Sequence, residues 1–177
     1  MSLNFNQPSR SLLIDLINTK ATKTLASSDL EIGTPEVSSE NDRDTKIALT
    51  ASAQSTIVTG STTFYYNRVD LGEMFEGHET HLTFNADETE VTDLAGLIAH
   101  LVVTFNLGIS ADDLKEVDFN LSSKPNTVTI EAAETSLVYK GSFDINFLYA
   151  DTKEDLATVL ANNVAEGFEK PTISVAG

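Results

Sequence analysis

The 177-residue chain contains no cysteine and no tryptophan, and only 4 of its residues are proline. Without cysteine there is no disulfide framework, no thiolate zinc site and no thiol nucleophile. Basic residues are scarce: 11 Lys and Arg stand against 27 Asp and Glu, a formal net charge of −16. A surface that negative repels phosphate backbones and anionic lipid, which argues against nucleic acid and membrane as partners. No uninterrupted apolar run approaches the ~20 residues of a membrane span. Residues 1–8 lack a basic stretch followed by an apolar one, so no secretory leader is expected. What is present is ordinary for a globular protein, with 41% hydrophobic and 21% charged residues. A chain of this length buries roughly 70% of its unfolded surface and needs no metal to fold.

The most informative feature is internal. Shifting the chain against itself by 81 residues aligns Leu16 and Ile17 with Leu97 and Ile98. At the same shift Ala51, Ser55, Gly60, Ser61 and Asp70 meet Ala132, Ser136, Gly141, Ser142 and Asp151. Ile47 and Leu49 match Val128 and Ile130, and Phe64 and Tyr66 match Ile145 and Phe147. A local slip of three pairs Ser28-Asp29-Leu30 with Asp112-Asp113-Leu114. Helix, turn and strand signals recur in the same order in both segments, which is the mark of a duplicated unit.

Each copy reads as a helix, a loop and a β-hairpin. In the second, Thr92 or Asp93 caps a helix whose stripe is Leu94, Leu97, Ile98, Leu101, Val102 and Phe105, with Gly108 as the stop. The first copy is shorter, with Ser9 as cap and Leu12, Leu13, Leu16 and Ile17 as stripe. Ser110 with Asp113 predicts a further capped turn. Period-two alternation marks strands at Ile47-Leu49-Ala51 and Val128-Ile130-Ala132. Return strands are expected over residues 56–69 and 137–149, each bent at its glycine, Gly60 or Gly141. The stretch 33–44 is polar and aperiodic and reads as a mobile loop, and a strand is expected at 81–84. Thr152 with Asp155 starts a final helix carrying Leu156, Val159, Leu160 and Val164, and Gly167 ends it. The expected class is α+β, with two diverged helix-plus-β-hairpin repeats packed as one unit, sharing a sheet, plus a C-terminal helix and tail. The divisions are residues 1–70 and 92–151 for the copies, 71–91 between them, and 152–177 for helix and tail.

Catalytic motifs are sparse. The 3 histidines include His78 and His81 beside Glu76 and Glu79, but their spacing suits one helix face and not the expected strand. They read as surface residues, and His100 as solvent-exposed. The acidic runs at 40–44 and 87–90 lack the spaced ligands and turn glycine of a calcium loop and read as solvated charge runs, with weak cation binding left open. Phosphate loops and a nucleophile elbow are absent. Phe64, Tyr65 and Tyr66 have only Arg68 as a basic neighbour, too little for a stacking platform on single-stranded nucleic acid. The expectation is no catalytic residue, no cofactor and no metal.

The run Ser11-Leu-Leu-Ile-Asp-Leu-Ile-Asn18, the strand 44–50 and above all Tyr66-Asn67-Arg68-Val69-Asp70-Leu71 resemble a domain family of tailed-bacteriophage virion structural proteins. In the second copy Ile109-Ser-Ala-Asp-Asp-Leu114 and Ser136-Leu-Val-Tyr-Lys-Gly-Ser142 continue the resemblance, which spans about 8–149. It implies a non-enzymatic, multi-copy particle component: head decoration, neck or collar, or tail or baseplate part. It implies partners among copies of itself and other virion proteins, synthesis in the host bacterial cytoplasm, and final location in the virion. The alternative is a small-ligand-binding or enzymatic α+β protein whose site is not visible in sequence. Expected interface residues are Arg68 and Asp70, which should pair on one strand face, and Phe168, Ile173 and Val175. The last three belong to a β-prone tail able to add to a sheet edge of another subunit.

Overall fold

The computed structural model describes residues 3–121 and 126–149. The expected C-terminal helix and tail, with Phe168, Ile173 and Val175, lie outside the described residues. The architecture is α+β: among the described residues there are three α-helices and nine short strands in several small sheets.

Helix α1 (Ser9–Asn18) begins directly after Pro8, whose φ of −57° is already helical. Ser9 is therefore the first helical residue and not the cap. The 3.6-residue spacing turns Leu13, Ile14 and Ile17 into one core and Leu12 into another. Fully burying each such side chain contributes about 1.5–3 kcal/mol. Strands β1 (Leu30–Ile32), β2 (Glu36–Val37), β3 (Thr45–Ala51) and β4 (Ser61–Tyr66) follow. Antiparallel β3 and β4 form a hairpin, with β1 and β2 both on the other edge of β3. The segment 33–44, expected to be a mobile loop, thus supplies β2 and a 3₁₀ turn at Glu40–Asp42. Two edge pairings fix it, a form of order that leaves little periodicity in so short a strand.

Residues β5 (Val69–Asp70) and α2 (Leu71–Phe75) come next, then β6 (Thr83–Asn85). A 3₁₀ turn at Glu79–Leu82 occupies the start of the strand expected at 81–84. Helix α3 (Leu94–Phe105) has Asp93 as its cap, its carboxylate accepting from the Gly96 N–H at 2.8 Å. Its end is Asn106, in the left-handed region at φ 54°, and not Gly108. Gly108 serves a close approach: its N–H donates to the Phe5 carbonyl at 2.6 Å, and a Cβ there would overlap the Gln7 backbone. Strands β7 (Asn126–Glu131), β8 (Tyr139–Lys140) and β9 (Ser142–Leu148) complete the described chain. β9 lies between β7 (antiparallel) and β6 (parallel), while β8 pairs in parallel with β5.

The two halves do not share one sheet as expected. Strands β1–β4 form one sheet, β6, β9 and β7 another, and β5 with β8 a small third. Two cores result, a smaller one around Ile17, Ile47, Leu49 and Tyr66 and a larger one around Leu97, Ile130, Tyr139 and Phe147. Helix α1 fastens them, since it feeds both, and Leu137 packs against both.

The hairpins keep the same register. Ile47 pairs with Phe64, and Val128 with Ile145; Ala48 pairs with Thr63, and Thr129 with Asp144. Both glycines have positive φ, +85° at Gly60 and +73° at Gly141, and each carbonyl accepts from the matched alanine, Ala51 or Ala132. Gly60 sits before its return strand and turns the chain, whereas Gly141 interrupts the extended run between β8 and β9, as expected. A buried aspartate anchors each hairpin. Asp29 accepts from the Ala26 N–H and the Ser55 hydroxyl; Asp113 accepts from the Ser110 N–H and hydroxyl, the Ser136 hydroxyl and the Ser9 hydroxyl. Their carbonyls accept from Ser52 N–H and Ala133 N–H.

Candidate interface site

The family-like stretch 66–71 runs across the junction between the two cores. Tyr66 ends β4 buried, and its hydroxyl donates to the Leu137 carbonyl of the C-terminal half at 2.8 Å. Burial pushes the Tyr66 phenol up to about 12. Asn67 and Arg68 then leave the sheet and line an open groove of about 450 Å³ with Asp44, Asp70, Glu73 and Lys140.

Arg68 does not pair with Asp70. Its guanidinium donates to the Thr45 hydroxyl at 3.2 Å and spans the Ser136, Tyr139 and Glu134 carbonyls at 3.3, 3.4 and 3.4 Å. The sequence-local neighbour loses because Asp70 has other work: its carboxylate accepts from the Gly72 and Glu73 N–H groups and caps α2. It also lies against Gly141, where a Cβ would stand 2.8 Å from its oxygens. Arg68 therefore acts on backbone carbonyls of the 134–139 loop, and the partner carboxylate of the groove is Asp44. Asp44 accepts from the Thr45 hydroxyl at 2.7 Å and the Arg68 N–H at 3.0 Å, and forms an ion pair with Lys140 at 3.0 Å. Partial burial works to raise its carboxyl, but the Thr45 hydroxyl, the Lys140 ammonium and the Arg68 amide together hold it below the usual range. Lys140 is raised by the same contact. Sequence reading singled out Arg68 and Asp70 as interface residues on one strand face; Asp44, Thr45 and Lys140 join them here because the fold brings them within reach.

A second groove, of about 300 Å³, opens in the N-terminal half between the end of α1 and the hairpin. Its walls are mainly apolar, with Ile17, Ala21, Leu25, Leu49, Val58 and Phe64 among them. The histidines sit elsewhere. His78 and His81 are exposed and stand edge-on to Phe105, while His100 is half-buried, packed edge-on against Phe84 with Nε2 2.8 Å from the His81 carbonyl oxygen. His100 is thus not the simple surface residue expected, since α3 turns it toward β6. Among the described residues no group of three or more His, Asp and Glu side chains is placed to hold a metal ion. Among them, too, no helix is long and apolar enough to cross a membrane.

The chain belongs to a protein family of unknown function (DUF7941), whose model matches residues 2–176. No curated protein and no solved structure matches it.

Proposed function

We propose that this DUF7941 member is a non-catalytic structural protein that works through subunit–subunit contacts, as a multi-copy virion component of a tailed bacteriophage. The observation that supports it best is how the chain uses its charged groups. Arg68 is engaged with Thr45 and the carbonyls of the 134–139 loop, Asp44 with Thr45, the Arg68 amide and Lys140, and Asp70 with the first turn of α2. A group held this way builds a stiff junction and is not poised to take a proton from a substrate. The resemblance of 66–71 to virion structural proteins supplies the setting, and the partners are copies of this chain and neighbouring virion proteins.

The same reading includes a duplication: residues of the N-terminal helix, turn and hairpin have counterparts 81 to 84 positions later. Matched register, positive-φ glycines and aspartate-anchored turns support common descent of the two units. Particles purified from cells infected with the phage that encodes the chain test the functional reading. The polypeptide is expected in them in many copies, and the recombinant protein should sediment as a multimer. A monomer absent from the particles would sink it.

A further inference from the structure

We propose that the apolar groove of the N-terminal unit receives residues 150–167 of a second copy of this chain, so that copies join head to tail. The inference rests on the duplication reading above, and the C-terminal unit supplies the template. There the chain leaving β4 fills the equivalent place: β5 pairs in parallel with β8, Val69 with Tyr139 and Asp70 with Lys140. Asp70 lies on Gly141 and caps α2, whose Leu71 and Phe75 are buried, with the Phe75 ring 4.4 Å from that of Phe143.

In the N-terminal unit Val58, Thr59 and Gly60 stand where the C-terminal unit has Tyr139, Lys140 and Gly141, no described strand pairs with them, and Thr62 stands in place of Phe143. Gly60 repeats the backbone of Gly141 at φ +85°, but no described residue lies within 4 Å of where its Cβ would be. Among the described residues, those lining the groove beside it all come from the N-terminal unit. The donor is specified by the same 81-residue shift. Asp151 corresponds to Asp70, Glu154 to Glu73 and Leu156 to Phe75, and the apolar series continues through Val159, Leu160 and Val164.

A one-way contact between the units favours a second copy as the donor over the chain's own C-terminus. Tyr66 reaches Leu137 in the other unit, whereas its counterpart Phe147 is buried against Phe84 and Phe119. A two-fold relation would repeat that contact in reverse. A head-to-tail relation instead carries forward to the next copy, closing as a ring or continuing as a filament.

The absence of cysteine makes the test direct. The register of Asp70 on Lys140 places Asp151 opposite Thr59, close enough for a disulfide. Single variants Thr59→Cys and Asp151→Cys, mixed and oxidised, should give a cross-linked dimer that neither gives alone. The double variant should give a ladder of oligomers, and pairing Asp151→Cys with Val103→Cys, exposed on α3, should give nothing. No mixed dimer, or a double variant that closes within single chains, would overturn the proposal. If Asp29→Ala and Asp113→Ala both lower stability while no cross-link forms, the seating alone is wrong; if only one does, the duplication beneath it fails too.

Discussion

Arg68 links the halves at the scale of one side chain. A half-buried guanidinium facing three carbonyls and a hydroxyl holds its partners away from water, so removing it strands them. Arg68→Ala should cost about 2 kcal/mol, the range for hydrogen bonds involving a charged group, and Arg68→Lys should recover only part, because an ammonium lacks the planar fork. Urea midpoints measure both, and an unchanged midpoint in Arg68→Ala would deny the clamp. Two buried tyrosines give a contrasting pair. Tyr66 donates to Leu137, whereas the Tyr139 hydroxyl is buried with no hydrogen-bond partner among the described residues. Tyr66→Phe should therefore lose about 1 kcal/mol, and Tyr139→Phe should be neutral or stabilising, since an unpaired buried hydroxyl carries a desolvation cost. Burial pushes both phenols up to about 12, and for Tyr139 the nearby Asp113 charge adds to it. Because the folded values lie above the unfolded one, their contribution is intact below about pH 10 and is lost as pH rises toward 12. Melting temperature followed across that window should fall less steeply in the double Phe variant.

At the scale of elements, the aspartate-anchored turns should matter unequally. Asp113 is almost fully buried and accepts from Ser110, Ser136 and Ser9, while Asp29 accepts from Ala26 and Ser55. Asp113→Ala should cost about 3 kcal/mol and Asp29→Ala about 2, since each removes a buried charged acceptor from the hydroxyls and amides that donate to it. Equal melting of wild type and both variants would mean that the turns are incidental. The turn at Asp113 was legible in the sequence, because Ser-x-x-Asp spacing is local; at Asp29 the cap position is Ala26, and only the match of residues 28–30 with 112–114 pointed to it. Helix α3 and the hairpin strands were legible for the same reason: their periodicity lies within a dozen residues. Helix α2, with five residues, is too short to show a period, and it exists because Asp70 caps it and Leu71 and Phe75 find the larger core. The separation into several sheets was hidden as well. Edge pairing of β5 with β8 joins residues about 70 positions apart, and nothing in either dipeptide announces the other. For the site, Arg68 stood out by rarity and Asp70 by its setting, but they were set against each other, whereas the fold gives Arg68 partners far along the chain and leaves Asp70 to cap α2.

For the whole molecule, net charge decides how association should respond to salt. Each copy carries −16, so copies approaching one another repel over distances comparable to a Debye length, about 10 Å at 0.1 M ionic strength. The contacts that would draw them together are of another kind: an apolar groove and main-chain pairing along an open edge, neither weakened much by screening. Lys46, Lys115 and Lys140, whose charges could oppose this trend, are already paired with carboxylates of their own chain. Association should therefore strengthen as salt is raised from about 20 to 500 mM, the repulsion being screened while apolar burial is kept. Sedimentation velocity at a fixed protein concentration measures it, with the weight-average mass expected to climb with salt. A mass that falls instead would mean that opposite charges meet across the interface, moving the contact from the apolar groove to the charged one beside Arg68.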